Sequence, residues 1–265
     1  MAEQLLDVRS LRKVFGEHVA VDDVSFDIAE GGSLAIVGES GSGKTTIARM
    51  LVGLERPTAG AITFAGCDRT HSAKSNTDRK TRSHEMQLVF QDPYTSLDPR
   101  QTVESCIDES LRLYRAGTAA SRRPRVTELA EMVGLDARQL RALPRSLSGG
   151  QRQRVAIARV LAAEPRLIIL DEAVAALDVS IQAQVLNLLA DIRDATGVSY
   201  ILISHDLAVV RQLCAQVIVM HRGAVVERGD TAEVLDAPSH PYTQLLRNSV
   251  PGPGWKPRRR AATVG

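Results

Sequence analysis

The chain has 265 residues, of which 44% are apolar and 24% charged, with a formal net charge of +2. That is enough chain for one large α/β domain with a real core, and the near balance of charge argues against a surface built mainly to hold nucleic acid. No apolar run approaches the roughly 18 residues that cross a bilayer, and the opening MAEQLLDVRS has neither the basic start nor the apolar stretch of a signal peptide, so a cytoplasmic chain is expected.

Short strands are predicted over LLDVRSLRKVF, DVSFDI, SLAIV and AITF in the first 65 residues. Between SLAIV and the helix-like IARMLVGL stands GESGSGKTT, residues 38 to 46, which fits G-x-x-x-x-G-K-[ST] with Gly38, Gly43, Lys44 and Thr45 in the fixed places. Glycines let the backbone turn with positive φ and bring successive N–H groups to one anion. The helix that follows aims the positive end of its dipole at the same point. The stretch Gly38, Ser40, Gly41, Ser42, Gly43, Lys44, Thr45 and Thr46 is therefore read as a phosphate cradle. In it Lys44 reaches the β- and γ-phosphates and the Thr45 hydroxyl sits on a magnesium ion.

Residues 66 to 84 are polar and aperiodic and are read as a surface excursion without a site. MQLVF returns as a strand, and helical patterns follow to about residue 140, among them TVESCIDESLRLY and RVTELAEMVGL. LSGGQRQRVAIARVLAAEP reads as a helix entered through glycines and stopped by Pro165, with Val155, Ala158 and Leu161 on one face. Its Ser148, Gly149 and Gly150 again aim a hydroxyl, backbone N–H groups and a helix dipole at an anion. Two phosphate devices but one lysine-bearing loop point the second device at a nucleotide held by another copy.

RLIILDE is an apolar strand ending in two acids: Asp171 is placed to hold magnesium and Glu172 to polarise an attacking water. LISHD ends alike, with His205 placed to hydrogen-bond a γ-phosphate. His18, His71, His84, His221 and His240 lie in polar or turn contexts and are read as structural. From RLIIL to QVIVM strands alternate with helices, the pattern of a parallel sheet covered on both faces. A hairpin candidate, AVVERGD, a short helix, TAEVLDA, and SHPYTQLLRNSV precede a basic, Pro/Gly-rich end expected to be disordered. Cys67, Cys106 and Cys214 are far apart with no C-x-x-C pair and are read as reduced and structural.

GESGSGKTT, VFQDP, LSGGQRQRVAIARVL, LIILDEAVAALD and ISHD occur in the order found in the ATP-binding subunits of ABC transporters, and the chain resembles that family from about residue 5 to 248. MQLVFQDPYTSLDPR, DVSIQAQVLNLL and HPYTQLL narrow the similarity to the dipeptide/oligopeptide and nickel importer group. The resemblance implies an α/β P-loop NTPase fold of the ABC type: a parallel sheet flanked by helices, an N-terminal antiparallel β subdomain and an inserted α-helical subdomain. A single ATPase domain would span 1–248, with its core in 1–91 and 151–228 and its helical subdomain in 92–150. A C-terminal extension would occupy 229–265.

The resemblance further implies ATP and Mg²⁺, with Phe15 stacking on adenine and Thr45, Gln91 and Asp171 around the metal. Glu172, His205 and Gln91 would serve hydrolysis. Ser148, Gly149, Gly150 and Gln151 would close over ATP on a partner subunit, with Asp178 in the dimer contact. Expected partners are two transmembrane permease subunits, a second ATPase subunit and an extracytoplasmic solute-binding protein, with no nucleic acid, at the cytoplasmic face of the cell membrane. Two departures stand out: Ala175 fills a place where serine is common, and the C-terminal extension carries no cysteine, so no iron-sulfur cluster is expected. Peptide import is the leading expectation. Import of nickel or another small solute, or a soluble ATPase acting on DNA or ribosomes, stands as the alternative.

Overall fold

The structure is a computed structural model and describes residues 3–90 and 97–248. Alternation of apolar side chains builds its first layer. β1 (Gln4–Phe15) and β2 (His18–Ala29) pair antiparallel and are joined by β4 (Ala59–Phe64) and β5 (Cys67–Asp68) in the order β2-β1-β4-β5. Leu6, Val8 and Leu11 of β1 and Val24, Phe26 and Ile28 of β2 are all buried. β2 begins five residues before the expected DVSFDI, because the turn through Gly16 (φ +57°) sets His18 opposite Phe15 and extends the ladder.

The second sheet has the order β10-β9-β3-β8-β7-β6. β3 (Ser33–Val37), β6 (Met86–Val89), β7 (Leu167–Asp171), β8 (Ser199–Ser204) and β9 (Gln216–His221) run parallel. β10 (Ala224–Asp230) folds back antiparallel on β9, so the expected hairpin forms with QVIVM as its first arm. Its two-residue turn has positive φ at both Arg222 and Gly223, a geometry whose twist suits tightly joined strands. Along β3, Leu34 and Ile36 enter the core shared with the first sheet, while Ala35 and Val37 enter the core shared with most of the helices. A strand buried on both faces reads as a continuous apolar run, as SLAIV and RLIIL do.

Helices cover the sheet: α1 (Lys44–Leu51), α2 (Asn76–Glu85), α3 (Val103–Tyr114), α4 (Ala119–Met132), α5 (Ala137–Leu140), α6 (Gly149–Leu161), α7 (Val179–Thr196), α8 (Leu207–Leu213), α9 (Thr231–Asp236) and α10 (Pro241–Asn248). Two of them depart from expectation. α2 lies in the supposed irregular excursion; it buries none of its residues and is held by polar devices. Ser75 caps its first turn, Arg82 grips Asp78 one turn back at 2.8 Å, and Glu85 takes two hydrogen bonds from Arg69. α4 starts six residues before RVTELAEMVGL and runs through Pro124. Thr118 caps it, accepting from the Ser121 N–H, and the carbonyl that proline leaves unpaired belongs to exposed Ala120. Among the described residues no helix is long and apolar enough to cross a membrane.

Candidate nucleotide site

Because β3, β7 and β8 are adjacent and parallel, their C-terminal ends open on one edge of the sheet, the usual place for a ligand in such folds. A cavity of about 980 Å³ lies there. Its floor is the loop after β3, from Gly38 and Glu39 through Ser40, Gly41, Gly43, Lys44, Thr45 and Thr46. Phe15, His18 and Ala20 line it from the β1–β2 turn, and Glu172, His205 and Asp206 from the ends of β7 and β8.

Two glycines of the loop are there for space as well as for dihedral freedom. A Cβ on Gly38 (φ +151°) would lie 2.2 Å from the Met220 carbonyl oxygen, and one on Gly43 (φ +102°) 2.3 Å from that of Ala20. No side chain caps the start of α1, whose N-cap is Gly43, which leaves its first-turn N–H groups turned toward the cavity without a competitor. Lys44 is buried; its Nζ donates to the carbonyls of Gly38 at 2.8 Å and Glu39 at 2.7 Å. Burial pulls the Lys44 pKa down, and Glu172, Asp171 and Glu39 oppose the shift.

The acidic pair divides its environments. Asp171 is buried and accepts a hydrogen bond from the Thr45 hydroxyl at 3.2 Å. Burial raises its pKa, the Thr45 hydrogen bond lowers it, and neighbouring Glu172 raises it further. A hydroxyl and a carboxylate held together in an apolar wall are hard oxygen donors, so the residues present fit Mg²⁺, whose charge would relieve the buried acid. Glu172 adopts φ +53°, a left-handed backbone unusual for a side-chain-bearing residue, while its N–H donates to the Ile203 carbonyl at 3.0 Å. That turn aims its carboxylate across to His205, 2.7 Å from Nδ1.

The tautomer of His205 follows the proton on Glu172. With Glu172 ionised, Nδ1 donates to it, and only an imidazolium has a second donor at Nε2. Once Glu172 carries a proton, Nδ1 can accept it and a neutral ring then donates from Nε2. The side chain of His205 is 63% exposed and that of Glu172 15%, so the histidine stands at the mouth and the acid at the floor.

Ser42 and Asp171 do not line the cavity itself, and neither do the residues expected to face a partner subunit. Ser42 is buried, with its N–H bonded to the Glu39 carbonyl and its hydroxyl turned toward Lys44. Ser148, Gly149, Gly150, Gln151 and Asp178 do not line it. Ser148 and Gln151 form a reciprocal cap at the start of α6, Ser148 Oγ accepting the Gln151 N–H and Gln151 Oε1 the Ser148 N–H. Gly150 there has a packing reason: its Cβ would lie 2.3 Å from Ile181 Cγ2 on α7. Asp178 is the N-cap residue of α7 but makes no capping bond with its side chain. Gln91 lies outside the described residues.

Other residues join the site that sequence reasoning did not single out. His18, read above as structural, lines the cavity beside Phe15, whose ring has the Lys13 ammonium 4.6 Å from its centroid. Leu246 of α10 also lines it, from more than 200 residues downstream of the loop. No local pattern announces that approach.

Comparison with known proteins matches residues 21–175 to the ABC transporter family and residues 226–264 to the family described as the oligopeptide/dipeptide transporter, C-terminal region. The chain is 43% identical over 258 residues to the oligopeptide transport ATP-binding protein OppF of Bacillus subtilis, covering 96% of this chain and 84% of that one. It is 44% identical over 235 residues to the dipeptide transport ATP-binding protein DppF of Haemophilus influenzae, covering 88% and 70%. Among solved structures, cbiO1 of Clostridium perfringens, part of the ABC transporter complex cbiONQ, superposes with a TM-score of 0.79 at 28% identity, over 89% of this chain and 92% of that one. The ATP-binding cassette MJ0796, solved as a dimer in a post-hydrolysis state with ADP and Pi, gives 0.76 at 30% identity, over 86% and 99%.

Proposed function

The chain belongs to the ABC transporter family, among its ATP-binding, ATP-hydrolysing proteins, and from that premise we propose that it drives import of di- or oligopeptides from the cytoplasmic face of a membrane. The observation that carries the site assignment is the meeting of Lys44, Thr45 and the Glu172–His205 pair around one cavity, with Asp171 bonded to Thr45 behind its lining. ATP lies with its adenine against Phe15 and its phosphates over the loop, where Lys44 exchanges two carbonyl partners for phosphate oxygens. Thr45 and Asp171, with Gln91, would hold Mg²⁺, which would neutralise phosphate charge.

Glu172 accepts the proton of the water that attacks the γ-phosphorus as the bond to the β–γ bridging oxygen breaks and ADP leaves. The proton on Glu172 then lets a neutral His205 donate from Nε2 toward the phosphate that is released. Catalysis and phosphate sensing would thus share one hydrogen bond.

Ser148, Gly149, Gly150 and Gln151 stand apart from the loop of their own chain, which supports a head-to-tail dimer in which each signature helix covers the partner's ATP. A separate groove of about 480 Å³, lined by exposed Phe90 and Leu113 with Tyr114 and Arg159, supports docking of permease subunits on the helical side. A solute-binding protein would complete the system.

The test is capture of tagged Glu172→Gln protein with ATP and magnesium from gently solubilised membranes of the native host, read by mass spectrometry. Two multi-span permeases, with a second ATPase or a second copy of this chain, are expected, and peptide uptake should fail when the gene is deleted. Ribosomal or DNA-bound proteins without any permease would overturn the transport assignment; loss of nickel uptake alone would overturn the cargo.

A further inference from the structure

The region after β10 is matched by its own family, separately from the ATPase core, yet it reaches the phosphate loop. The Glu39 N–H donates to the Tyr242 hydroxyl at 3.0 Å, across 203 residues of chain. Glu39 in turn offers its carbonyl to Lys44 Nζ at 2.7 Å. Tyr242, Glu39 and Lys44 therefore form one hydrogen-bonded chain from α10 to the lysine of the loop. Leu246, one turn further along the same face of α10, lines the cavity itself.

Tyr242 is held from behind. Its ring packs on His221, with centroids 4.0 Å apart, and its own N–H donates to Nδ1 of His240 at 3.2 Å. The Glu227 carboxylate on β10 accepts three hydrogen bonds from the turn ahead of α10: the Ser239 N–H at 2.7 Å, the Ser239 hydroxyl at 2.8 Å and the His240 N–H at 3.2 Å. The side chain of Tyr242 is a short rigid lever with two torsions, fixed at its base and bonded at its tip, and the residue is only 8% exposed.

We propose that Tyr242 is a positioning residue for nucleotide binding: the C-terminal segment holds the phosphate loop in its binding-competent shape through the Tyr242–Glu39 hydrogen bond. The proposal rests on the assignment of this cavity to ATP and adds a control point to it. A loop that must be ordered before it accepts phosphates loses affinity in proportion to the fraction of time it is not ordered. Any partner that lifts α10 would then weaken ATP binding without touching the cavity, while leaving the chemistry of bound ATP alone.

The experiment titrates the full chain with magnesium and AMP-PNP, a non-hydrolysable ATP analogue, and measures ATP turnover alongside. Tyr242→Phe keeps the ring and removes the acceptor; its AMP-PNP Kd should rise about threefold to tenfold, the range for the net contribution of one hydrogen bond. KM for ATP should rise by the same factor with kcat retained. Glu227→Gln, which loosens the turn behind Tyr242, should shift Kd in the same direction and carries the test if Tyr242→Phe fails to fold. A lowered unfolding midpoint with Kd unchanged would make Tyr242 a plain packing residue and overturn the proposal. Equal Kd for wild type and both variants overturns the strut alone, whereas a wild type that does not bind AMP-PNP overturns the nucleotide assignment and the strut with it.

Discussion

Lys44→Ala separates what the lysine does for the fold from what it does for the ligand. In the free protein Nζ satisfies two carbonyls, at 2.8 and 2.7 Å, while burial works against its charge. Losing two such bonds destabilises while shedding a desolvated ammonium stabilises, so the net change in folding is expected within about 2 kcal/mol. On ATP the balance differs, because both bonds turn to phosphate oxygens and no compensating cation is left. At about 1.5–3 kcal/mol per charge-assisted hydrogen bond, the two together amount to about 3–6 kcal/mol, or a Kd raised about a hundredfold to more than ten thousandfold. Calorimetric titration of the variant with magnesium and AMP-PNP, beside its thermal unfolding curve, reads both quantities. A variant that stays folded and binds within threefold of wild type would refute the placement of phosphates over this loop.

Glu172→Gln should bind AMP-PNP as wild type does but lower ATP turnover by orders of magnitude and accumulate an ATP-bound dimer in size-exclusion chromatography; near-normal turnover would move the base elsewhere. Ser148→Arg should leave ATP binding by the single chain intact and abolish hydrolysis, since it blocks the face that covers a partner's nucleotide; retained hydrolysis would remove the composite site. Asp108→Asn tests the helical side of the molecule. Arg122 donates two hydrogen bonds to the Asp108 carboxylate, at 2.7 and 2.8 Å, tying α4 to α3. The Arg122 hydrogen bonds hold the Asp108 pKa below its usual value. A carboxylate depressed in the folded state adds stability above its unfolded pKa of about 3.9, and that stability is lost as pH falls through the lower folded value. The variant should therefore be less stable by about 1–2 kcal/mol at neutral pH, a gap that holds down to about pH 4.5 and closes below about 3.9 in denaturant titrations. A gap independent of pH throughout would show that the pair does not matter.

What was legible in the sequence follows from how local each signal is. SLAIV, LIIL and VSYILIS read as strands because both faces are buried and every residue is apolar or small, and GESGSGKTT because its glycines are forced by Met220 and Ala20 backbone oxygens. α2 escaped because periodicity detects a buried face and α2 has none; its stabilising contacts are a cap and ion pairs. The early start of α4 was hidden by Pro124, which reads as a stop although it stands within the helix's first turns. The roles of Glu172 and His205 were read from two strand ends, but their contact required knowing that β7 and β8 are neighbours. Tyr242 and His18 were passed over for the same reason, since each reaches the cavity through tertiary packing that no short window contains.

β3 carries a consequence for how this chain can change over generations. Four of its five residues divide between two separate apolar neighbourhoods, Leu34 and Ile36 on one side and Ala35 and Val37 on the other. A substitution that alters packing against the antiparallel layer and one that alters packing among the helices both reach the same pentapeptide, and through it the loop that follows. Drift on the two sides is therefore coupled although their side chains belong to different clusters. A constraint on the phosphate loop thus resides in four apolar side chains that touch no ligand.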